Sequence, residues 1–564
     1  MPASGKREHK GPKASYMSSA STVNIAAHLP RMAKAQPDQV AIHCPMRRDA
    51  TGQMTYSQIT YAQLETYSNR IASGLIASGV KRGDRVALLV PPDSGKDFFA
   101  LVFALFKVGA VMICVDPGIG TKNMGKCLTQ AKPSVFIGIP KAQIARKLFG
   151  WARKTVKLPI TVGTWPGLTL KKIIAHGQDG PVMADTQTDE TAAILFTSGS
   201  TGIPKGVVYS HGNFVAQVDA LIQGFDIKPG EVDLCTFPLF ALYAPAMGMT
   251  AVVPVMDFTR PGSVDPMNII EPIEQFKVNN MFGSPALLKR VGEYGKREEI
   301  KLHSLHRVIS AGAPVRASVM RTFKTMLNPA TQIFTPYGAT ECLPVAIMGS
   351  DDILKHTAKA TDEGKGVCVG KPVPSVDVRI IRILDGPVDE WSDDILADEH
   401  AVGEICVKAP QATASYFQLE QATSLAKIKD GQDGFWHRMG DLGYLDQEGR
   451  LWFCGRKSQR VQNKHGLFFT ICCEGVFNTH PKVARTAVVD GDKDRTVLCV
   501  ELLPDIQPSE HIPIRNQLLE LGSLHSHTQA IKHVLFHPSF PVDIRHNAKI
   551  NREQLSQWAK GQLP

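Results

Sequence analysis

Residues 197–206, TSGSTGIPKG, combine small, hydroxylated and flexible residues with a single lysine. Gly199 and Gly202 can adopt positive φ angles, which lets successive backbone N–H groups converge on an anion. Further donors are four hydroxyl groups and one ammonium group, those of Thr197, Ser198, Ser200, Thr201 and Lys205. The pattern predicts a phosphate-binding loop, although a flexible surface turn is the alternative. The common P-loop pattern G-x-x-x-x-G-K-[ST] does not match, because Pro204 precedes Lys205 and Gly206 follows it.

Five further motifs follow this loop along the chain. They are SAGAP (310–314), TPYGATE (335–341), GEICVKAP (403–410), GDLGYLDQEGRLWFCGR (440–456) and HNAKINR (546–552). Together with the loop, and in this order, they resemble the motifs of the adenylate-forming superfamily. That superfamily includes acyl-CoA synthetases, peptide-synthetase adenylation domains and firefly luciferase. The resemblance covers most of the chain and implies that ATP activates a carboxylic acid as an acyl-adenylate.

The resemblance implies which residues hold ATP, while GEICVKAP would be a structural strand. The loop would hold the phosphates, and the strand end with Gly312, Ala313 and Pro314 would bind adenine. Tyr337, followed by Gly338, would stack on adenine. Asp441 would accept hydrogen bonds from the ribose hydroxyls, with Arg456 beside it.

The same resemblance implies which residues act on the reacting groups. Thr340 would contact the α-phosphate, and Glu341 would hold Mg²⁺, a hard cation that prefers carboxylate oxygens. Lys549 would bridge the carboxylate and the α-phosphate as charge redistributes in the transition state. Taken singly, Glu341 could lie on a solvated face and Lys549 could be one of many surface lysines. The ordered occurrence of all the motifs favours the functional interpretation, with ATP and Mg²⁺ as the cofactors.

The chain departs from the superfamily pattern at several positions. Acyl-CoA and aryl-CoA ligases often have a histidine where this chain has Ala241. Met439 replaces the threonine of T-G-D, Ser458 stands at the hinge position that is usually acidic, and Ala548 replaces the glycine before the lysine. These departures concern transfer to a thiol more than adenylation.

The strings FPLFALYAP, GRKSQRV and FPVDIRHNAKINREQL resemble one branch, the β-lactone synthetases of bacterial long-chain olefin biosynthesis. This implies that a 2-alkyl-3-hydroxy fatty acid is adenylated and that its own hydroxyl displaces AMP to close a lactone. Two alternatives remain open: a medium- or long-chain acyl-CoA ligase, and an adenylate-binding scaffold without turnover. The pathway suggests association with thiolase-like and reductase enzymes.

The acyl pocket is expected where FPLFALYAPAMGM and NNMFGSPALL converge, because these strings supply flexible and aromatic apolar side chains. For any one of these residues, an ordinary place in the core is an equally good interpretation. The candidates are Phe237, Phe240, Ala241, Leu242, Tyr243, Met247, Met281, Phe282 and Gly283.

The elements that position these residues follow from the apolar patterning. From about residue 60 to 340, short β-branched runs alternate with longer amphipathic segments, which predicts an α/β fold with mostly parallel sheets. From Val376 short strands and turns predict a β-rich subdomain, with a hairpin turn at residues 446–449. The polar stretch after Gly455 is interpreted as a linker. We expect a disordered tail over residues 1–22, an adenylation domain over 23–456 whose β-rich subdomain spans 376–456, and a mobile α+β C-terminal domain over 457–564.

Composition indicates a multi-domain globular protein: of 564 residues, 43% are hydrophobic and 21% are charged. We interpret the net charge of +10 as spread along the chain, which implies a mild preference for anionic partners and no nucleic-acid binding. Eleven scattered cysteines without a C-x-x-C pair are typical of reduced thiols in a cytoplasmic protein. Residues 98–116 are the most apolar stretch, but Lys107 and Gly109 favour a buried helix turning into a strand over a transmembrane span.

Overall fold

The computed structural model describes residues 23–197, 204–237, 243–431, 434–542 and 549–563. The predicted tail therefore lies outside the described residues. The α-helices of seven or more residues in the described part are His28–Ala35, Tyr61–Ala77, Lys96–Val108, Thr121–Ala131, Pro140–Leu148, Leu170–His176, His211–Phe225, Met267–Phe276, Pro285–Arg297, Ala317–Lys324, Glu420–Ala426, Thr470–Phe477, His511–Ser523 and Arg552–Gln562.

The larger sheet joins 14 strands of the described chain and changes character along its width. One half is parallel, except for the antiparallel edge strand Met54–Thr60, and the other half is antiparallel. In spatial order the strands are Met54–Thr60, Val40–Arg48, Thr250–Val252, Val232–Leu234, Asn280–Phe282, Arg307–Ile309, Gln332–Ala339, Cys342–Gly349, Val367–Pro372, Leu451–Arg456, Gly434–Leu445, Gly403–Lys408 and Asp377–Ile381, with Lys427–Asp430 also on Gly434–Leu445.

The second sheet contains seven strands in the described residues. Five adjacent strands, from Thr191–Thr197 to the edge strand Leu158–Thr161, are parallel. On the other side Lys205–Ser210 pairs antiparallel with Thr191–Thr197, and Ser415–Tyr416 pairs antiparallel with Lys205–Ser210. In spatial order they are Ser415–Tyr416, Lys205–Ser210, Thr191–Thr197, Val111–Val115, Arg85–Leu89, Val135–Gly138 and Leu158–Thr161.

The most apolar stretch of the sequence forms the predicted buried helix and strand. Helix Lys96–Val108 ends at Gly109, whose φ of 73° is the left-handed conformation that glycine adopts without strain, and strand Val111–Val115 follows. Lys107 is fully buried, and its ammonium group lies 2.6 Å from a carboxylate oxygen of Glu65 and 2.6 Å from the side-chain oxygen of Asn69. A paired cation is thus tolerated inside a helix of the core.

The part of the chain after Arg456 has apolar clusters of its own. Three strands, Val483–Asp490, Thr496–Leu502 and His533–Phe536, form a small sheet that packs with the helices Thr470–Phe477, His511–Ser523 and Arg552–Gln562. The polar segment interpreted as a linker instead forms a hairpin of Val461–Asn463 and Gly466–Phe468, because Val461 and Phe468 are buried in this small core. The domain boundaries themselves stay a prediction.

The fold class expected from the sequence is confirmed. A large sheet-containing N-terminal part precedes a small α+β part, and the hairpin turn at residues 446–449 is present, with the N–H of Gly449 donating to the carbonyl of Asp446 at 2.9 Å. None of the helices in the described residues has the length and apolar character needed to cross a bilayer.

A buried ion pair fixes the strand that leads to the predicted ribose-binding aspartate. Arg438, 3% exposed, donates to the Oε2 atom of Glu404 through Nε at 3.1 Å and Nη2 at 2.6 Å. Lys457 adds a third donor at 3.0 Å. The guanidinium also donates to the Gly386 carbonyl at 2.7 Å. Strands Gly403–Lys408 and Gly434–Leu445 are therefore joined by charge as well as by backbone hydrogen bonds.

Replacing Arg438 by methionine should lower the free energy of unfolding by about 3 kcal/mol, because it leaves a buried carboxylate with one cation fewer. Urea denaturation followed by tryptophan fluorescence measures the change. Arg297→Met removes an arginine of an exposed pair with Glu298 and should change stability by less than about 0.5 kcal/mol. Equal effects of the two substitutions would contradict this account.

Candidate active site

Several predicted site segments follow the carboxyl ends of neighbouring parallel strands. Residues 283–285 follow Asn280–Phe282, residues 310–314 follow Arg307–Ile309, and residues 340–341 follow Gln332–Ala339. These three strands are adjacent and parallel, so the three segments meet at one edge of the larger sheet. Ligands of open α/β sheets bind at this edge. The topology thus brings together the predicted adenine segment (310–314), the residues predicted to contact the α-phosphate and Mg²⁺ (340–341) and part of the predicted acyl pocket (283–285).

The predicted phosphate loop connects two antiparallel strands of the second sheet. Thr197 ends strand Thr191–Thr197, and Lys205 begins strand Lys205–Ser210, with the two residues paired in register. The ammonium nitrogen of Lys205 lies 5.1 Å from the ring centre of Tyr416, a cation–π contact that holds the side chain. The intervening candidates Ser198, Gly199, Ser200, Thr201 and Gly202 lie outside the described residues.

The segment 310–314 presents backbone rather than side chains. Gly312 has a φ of 95°, which strains residues with a Cβ atom, and it is exposed, as is Pro314, while Ala313 is half-buried. Ser310 is anchored by its N–H, which donates to the Phe334 carbonyl at 2.8 Å. Its hydroxyl is buried and makes no hydrogen bond within the described part of the chain. Exposed backbone beside an unpaired buried hydroxyl fits a site that receives a polar ligand.

Thr340 and Glu341 form the tight turn between strands Gln332–Ala339 and Cys342–Gly349. The Tyr209 hydroxyl donates to the Thr340 carbonyl, and the Tyr416 hydroxyl donates to Glu341 Oε1 at 2.7 Å. The turn also requires a glycine at 338, because a Cβ atom there would lie 2.6 Å from the Cys342 carbonyl oxygen. Two tyrosines from the second sheet thus hold the turn of the first.

Asp441 is almost fully buried, and its carboxylate is paired with Arg456 on the adjacent strand and hydrogen-bonded by Tyr337 on strand Gln332–Ala339. The Tyr337 hydroxyl donates to Oδ2 at 2.7 Å, and Nη1 of Arg456 lies 3.0 Å from Oδ1. Burial raises the pKa of Asp441, whereas Arg456 and Tyr337 oppose that rise. The carboxylate in turn raises the pKa of Arg456. Within the described residues Oδ1 accepts no hydrogen bond, so an acceptor oxygen remains for a hydroxyl donor.

Lys427 is a half-buried cation next to this turn that the sequence analysis missed. Its ammonium group donates to the carbonyl of Thr413, whose own N–H donates to the Glu341 carbonyl at 2.8 Å. Burial lowers the pKa of Lys427 to about 7, while the Glu341 carboxylate opposes that shift. Lys427 therefore supports the backbone that carries Glu341.

The described acyl-pocket candidates are buried, except for Phe237, which is half-buried. Met247 and Phe282 are each 7% exposed, Gly283 and Met281 are buried, and the rings of Phe237 and Phe282 lie 5.7 Å apart. The Tyr243 hydroxyl donates to Gln217, whose amide donates to the Leu343 carbonyl at 2.8 Å. This relay connects the apolar candidates with the strand after Glu341. Phe240, Ala241 and Leu242 lie outside the described residues.

Lys549 is exposed and lies in the C-terminal part of the chain, directly before Ile550, which pairs with Val542. Three residues on, Arg552 starts the last helix and binds Glu474 through two hydrogen bonds of 2.5 and 2.8 Å. The segment that carries the predicted catalytic lysine is thus anchored on its C-terminal side. The role of Lys549 stays a prediction.

A magnesium site would have one protein ligand. No group of three or more His, Cys, Asp or Glu side chains within the described ranges is arranged to hold a metal. Mg²⁺ bound with a nucleotide uses one or two carboxylates and takes its other ligands from phosphates and water. Glu341, half-buried beside Thr340 at the end of strand Gln332–Ala339, fits that requirement.

The family of the chain is established by comparison with known proteins. The family model described as AMP-binding enzyme matches residues 29–417. The chain therefore belongs to the AMP-binding enzyme family, and the resemblance inferred from the motifs is confirmed.

Two individual relatives and one solved structure are similar to the chain over nearly its whole length. The chain is 47% identical over 551 residues to the olefin β-lactone synthetase of Xanthomonas campestris pv. campestris, covering 96% of this chain and 98% of that protein. It is 46% identical over 553 residues to the olefin β-lactone synthetase of Stenotrophomonas maltophilia, with the same coverage. The solved structure of the amide bond synthetase McbA from Marinactinospora thermotolerans has the same fold, with a TM-score of 0.76, 23% identity and coverage of 95% and 99%.

The functional contacts that sequence reasoning missed have weak sequence signals. Lys427 stands in SLAKIKDG, where nothing distinguishes it from the exposed Lys429 two residues on. Tyr416 follows GEICVKAPQ by a few residues, which places it near a motif but gives it no role. Both residues matter because they contact segments that are distant in the sequence. Local sequence patterns do not indicate such contacts.

Lys427→Met should lower kcat/KM for ATP-dependent acid activation by about tenfold, because the Thr413 carbonyl loses its ammonium donor and the turn at Glu341 loses support. Pyrophosphate release measures the activity. Lys429→Met, an exposed position on the same strand, provides the matched control and should leave kcat/KM unchanged. Equal activity in the two variants would show that Lys427 does not support the site.

Proposed function

We propose that this protein is an ATP-dependent β-lactone synthetase that acts on a long-chain 2-alkyl-3-hydroxy fatty acid. The observation that carries the proposal is the 46–47% identity, over 96% of the chain, to proteins named olefin β-lactone synthetase. The products are the β-lactone, AMP and pyrophosphate.

The first step is activation of the acid. A carboxylate oxygen of the substrate attacks the α-phosphorus of ATP, and pyrophosphate leaves. Two anions must approach each other, so the site has to supply positive charge and hold the reactants in line. Lys205 of the phosphate loop, Thr340 and Lys549 do this in our proposal, while Asp441 and Tyr337 hold the nucleoside.

The second step closes the ring within the acyl-adenylate. The 3-hydroxyl oxygen attacks the acyl carbon, the bond from that carbon to the AMP oxygen breaks, and the hydroxyl proton is released. Because the nucleophile is tethered to the acyl carbon, its effective concentration is high. The apolar side chains of Tyr243, Met247 and Phe282 have the task of folding the substrate into the attacking conformer.

Mg²⁺ is part of the proposal, with Glu341 as its protein ligand. The metal supplies charge neutralisation at the phosphates. The hydrogen bond from Tyr416 to Oε1 fixes the orientation of this carboxylate before the nucleotide arrives. Tyr416 also contacts Lys205, so it couples the Glu341 carboxylate to the cation of the phosphate loop.

We also propose that the enzyme works in the cytoplasm, next to thiolase-like and reductase enzymes of the same pathway. All eleven cysteines are free thiols in the structure, and ten of them are buried. Such a set suits a reducing compartment. Direct handover would keep a poorly water-soluble acid from leaving the pathway.

The test is the product formed from ATP, Mg²⁺ and a 2-alkyl-3-hydroxy fatty acid, with and without coenzyme A. The proposal predicts a β-lactone in both reactions, identified by mass spectrometry and its carbonyl absorption. An acyl-CoA formed only when coenzyme A is present would make the protein an acyl-CoA ligase. Nucleotide binding without pyrophosphate release would make it a scaffold.

Lys549→Ala should slow adenylate formation by about 10²- to 10³-fold, because a positioned cation is lost where negative charge develops. Single-turnover release of pyrophosphate measures this step directly. Lys532→Ala, at another exposed lysine of the C-terminal part, is the control and should react at the wild-type rate. A wild-type rate in the Lys549 variant would assign the catalytic cation to another residue.

A further inference from the structure

The excess positive charge of the chain lies in one segment, so the interpretation of charge spread along the chain is wrong. Residues 117–178 contain 11 of the 63 lysines and arginines and neither aspartate nor glutamate. The other 52 basic residues are balanced by all 53 acidic residues. The whole net charge of +10 therefore belongs to 62 consecutive residues.

This segment also exposes large apolar side chains next to its cations. Ile144, Leu148 and Phe149, on helix Pro140–Leu148 and directly after it, are 52%, 73% and 54% exposed. The neighbouring cations Lys141, Lys147, Arg153 and Lys154 are exposed as well. Trp151 is buried against the adjacent helix Thr121–Ala131, and the Phe149 ring stacks on it at 5.8 Å. Phe149 thus packs on a buried tryptophan, and all three apolar side chains are exposed to solvent.

The C-terminal end of helix Pro140–Leu148 lies away from the candidate active site. Helix Pro140–Leu148 follows the carboxyl end of strand Val135–Gly138 and returns to the amino end of the parallel strand Leu158–Thr161. The phosphate loop follows the carboxyl end of Thr191–Thr197, which runs in the same direction. Phe149 and Arg153 therefore lie at the sheet edge opposite the loop.

We infer that the surface formed by Ile144, Lys147, Leu148, Phe149, Arg153 and Lys154 docks the protein on a membrane of anionic phospholipids. Cations next to exposed aliphatic and aromatic side chains match an interface in which charged headgroups border acyl chains. A nucleic acid or an acidic protein would satisfy the cations but gives no reason for a leucine and a phenylalanine to be exposed side by side. The docking surface goes beyond the proposed function and does not depend on it.

Co-sedimentation with lipid vesicles tests the inference on the full-length protein. The wild type should bind vesicles that contain phosphatidylglycerol and should not bind vesicles of phosphatidylcholine alone. Two double variants, Leu148→Ser with Phe149→Ser and Arg153→Gln with Lys154→Gln, should each lower the partition coefficient by about tenfold or more. Added salt should weaken wild-type binding, because the lipid charge is screened.

The matched control is Ile512→Ser with Leu524→Ser, which removes two side chains that are 67% and 72% exposed on the C-terminal part. This variant should bind vesicles like the wild type. All variants should keep the wild-type rate of pyrophosphate release with a water-soluble short-chain acid, so a folding defect is recognised at once. The inference is overturned if the wild type does not bind anionic vesicles, if the control loses binding equally, or if only the charge variant loses binding. The last result would identify a general polyanion-binding surface.

Discussion

A buried carboxylate sets the main constraint on this structure. Asp441 is 2% exposed, and a charge in such a place is stable only with close partners. Its partners come from both halves of the larger sheet: Arg456 pairs in register on the neighbouring antiparallel strand, and Tyr337 belongs to the last strand of the parallel half. The cation that neutralises Asp441 thus comes from its own half of the sheet, while the hydrogen bond from Tyr337 ties the carboxylate to the parallel half and to the edge where the site segments meet.

The turn with Thr340 and Glu341 depends on that assembly in a second way. Its backbone and carboxylate are held by Tyr209, Thr413 and Tyr416, and the two tyrosines belong to strands of the second sheet. Tyr416 also contacts Lys205. One aromatic residue thus links the carboxylate proposed to hold the metal with the cation proposed to hold the phosphates. A small shift between the two sheets would move both the Glu341 carboxylate and the Lys205 ammonium group. Contacts on two sides of the turn oppose such a shift.

How much the sequence predicts depends on how local the cause is. The helix Lys96–Val108 and the turn at residues 446–449 were predictable because glycine conformation and apolar runs act over a few residues. The segment 310–314 was predicted as a strand end and does follow strand Arg307–Ile309, while the roles of the site residues stay predictions. The hairpin of Val461–Asn463 and Gly466–Phe468 was not, because its two buried residues pack against a core assembled from later parts of the chain. Lys427 was missed for the same reason: its burial arises from the packing of distant segments.

The direction of the parallel strands explains how the two proposed surfaces can act at once. Loops after carboxyl ends carry the groups proposed to hold nucleotide and acid, and the segment around Phe149 lies at amino ends of the second sheet. A protein docked through that segment presents its phosphate loop to the aqueous side, where ATP is dissolved. The cations of the docking surface are then occupied by lipid headgroups, and those of the loop remain for the nucleotide. Strand direction therefore separates two sets of positive charges that would otherwise compete for the same anions.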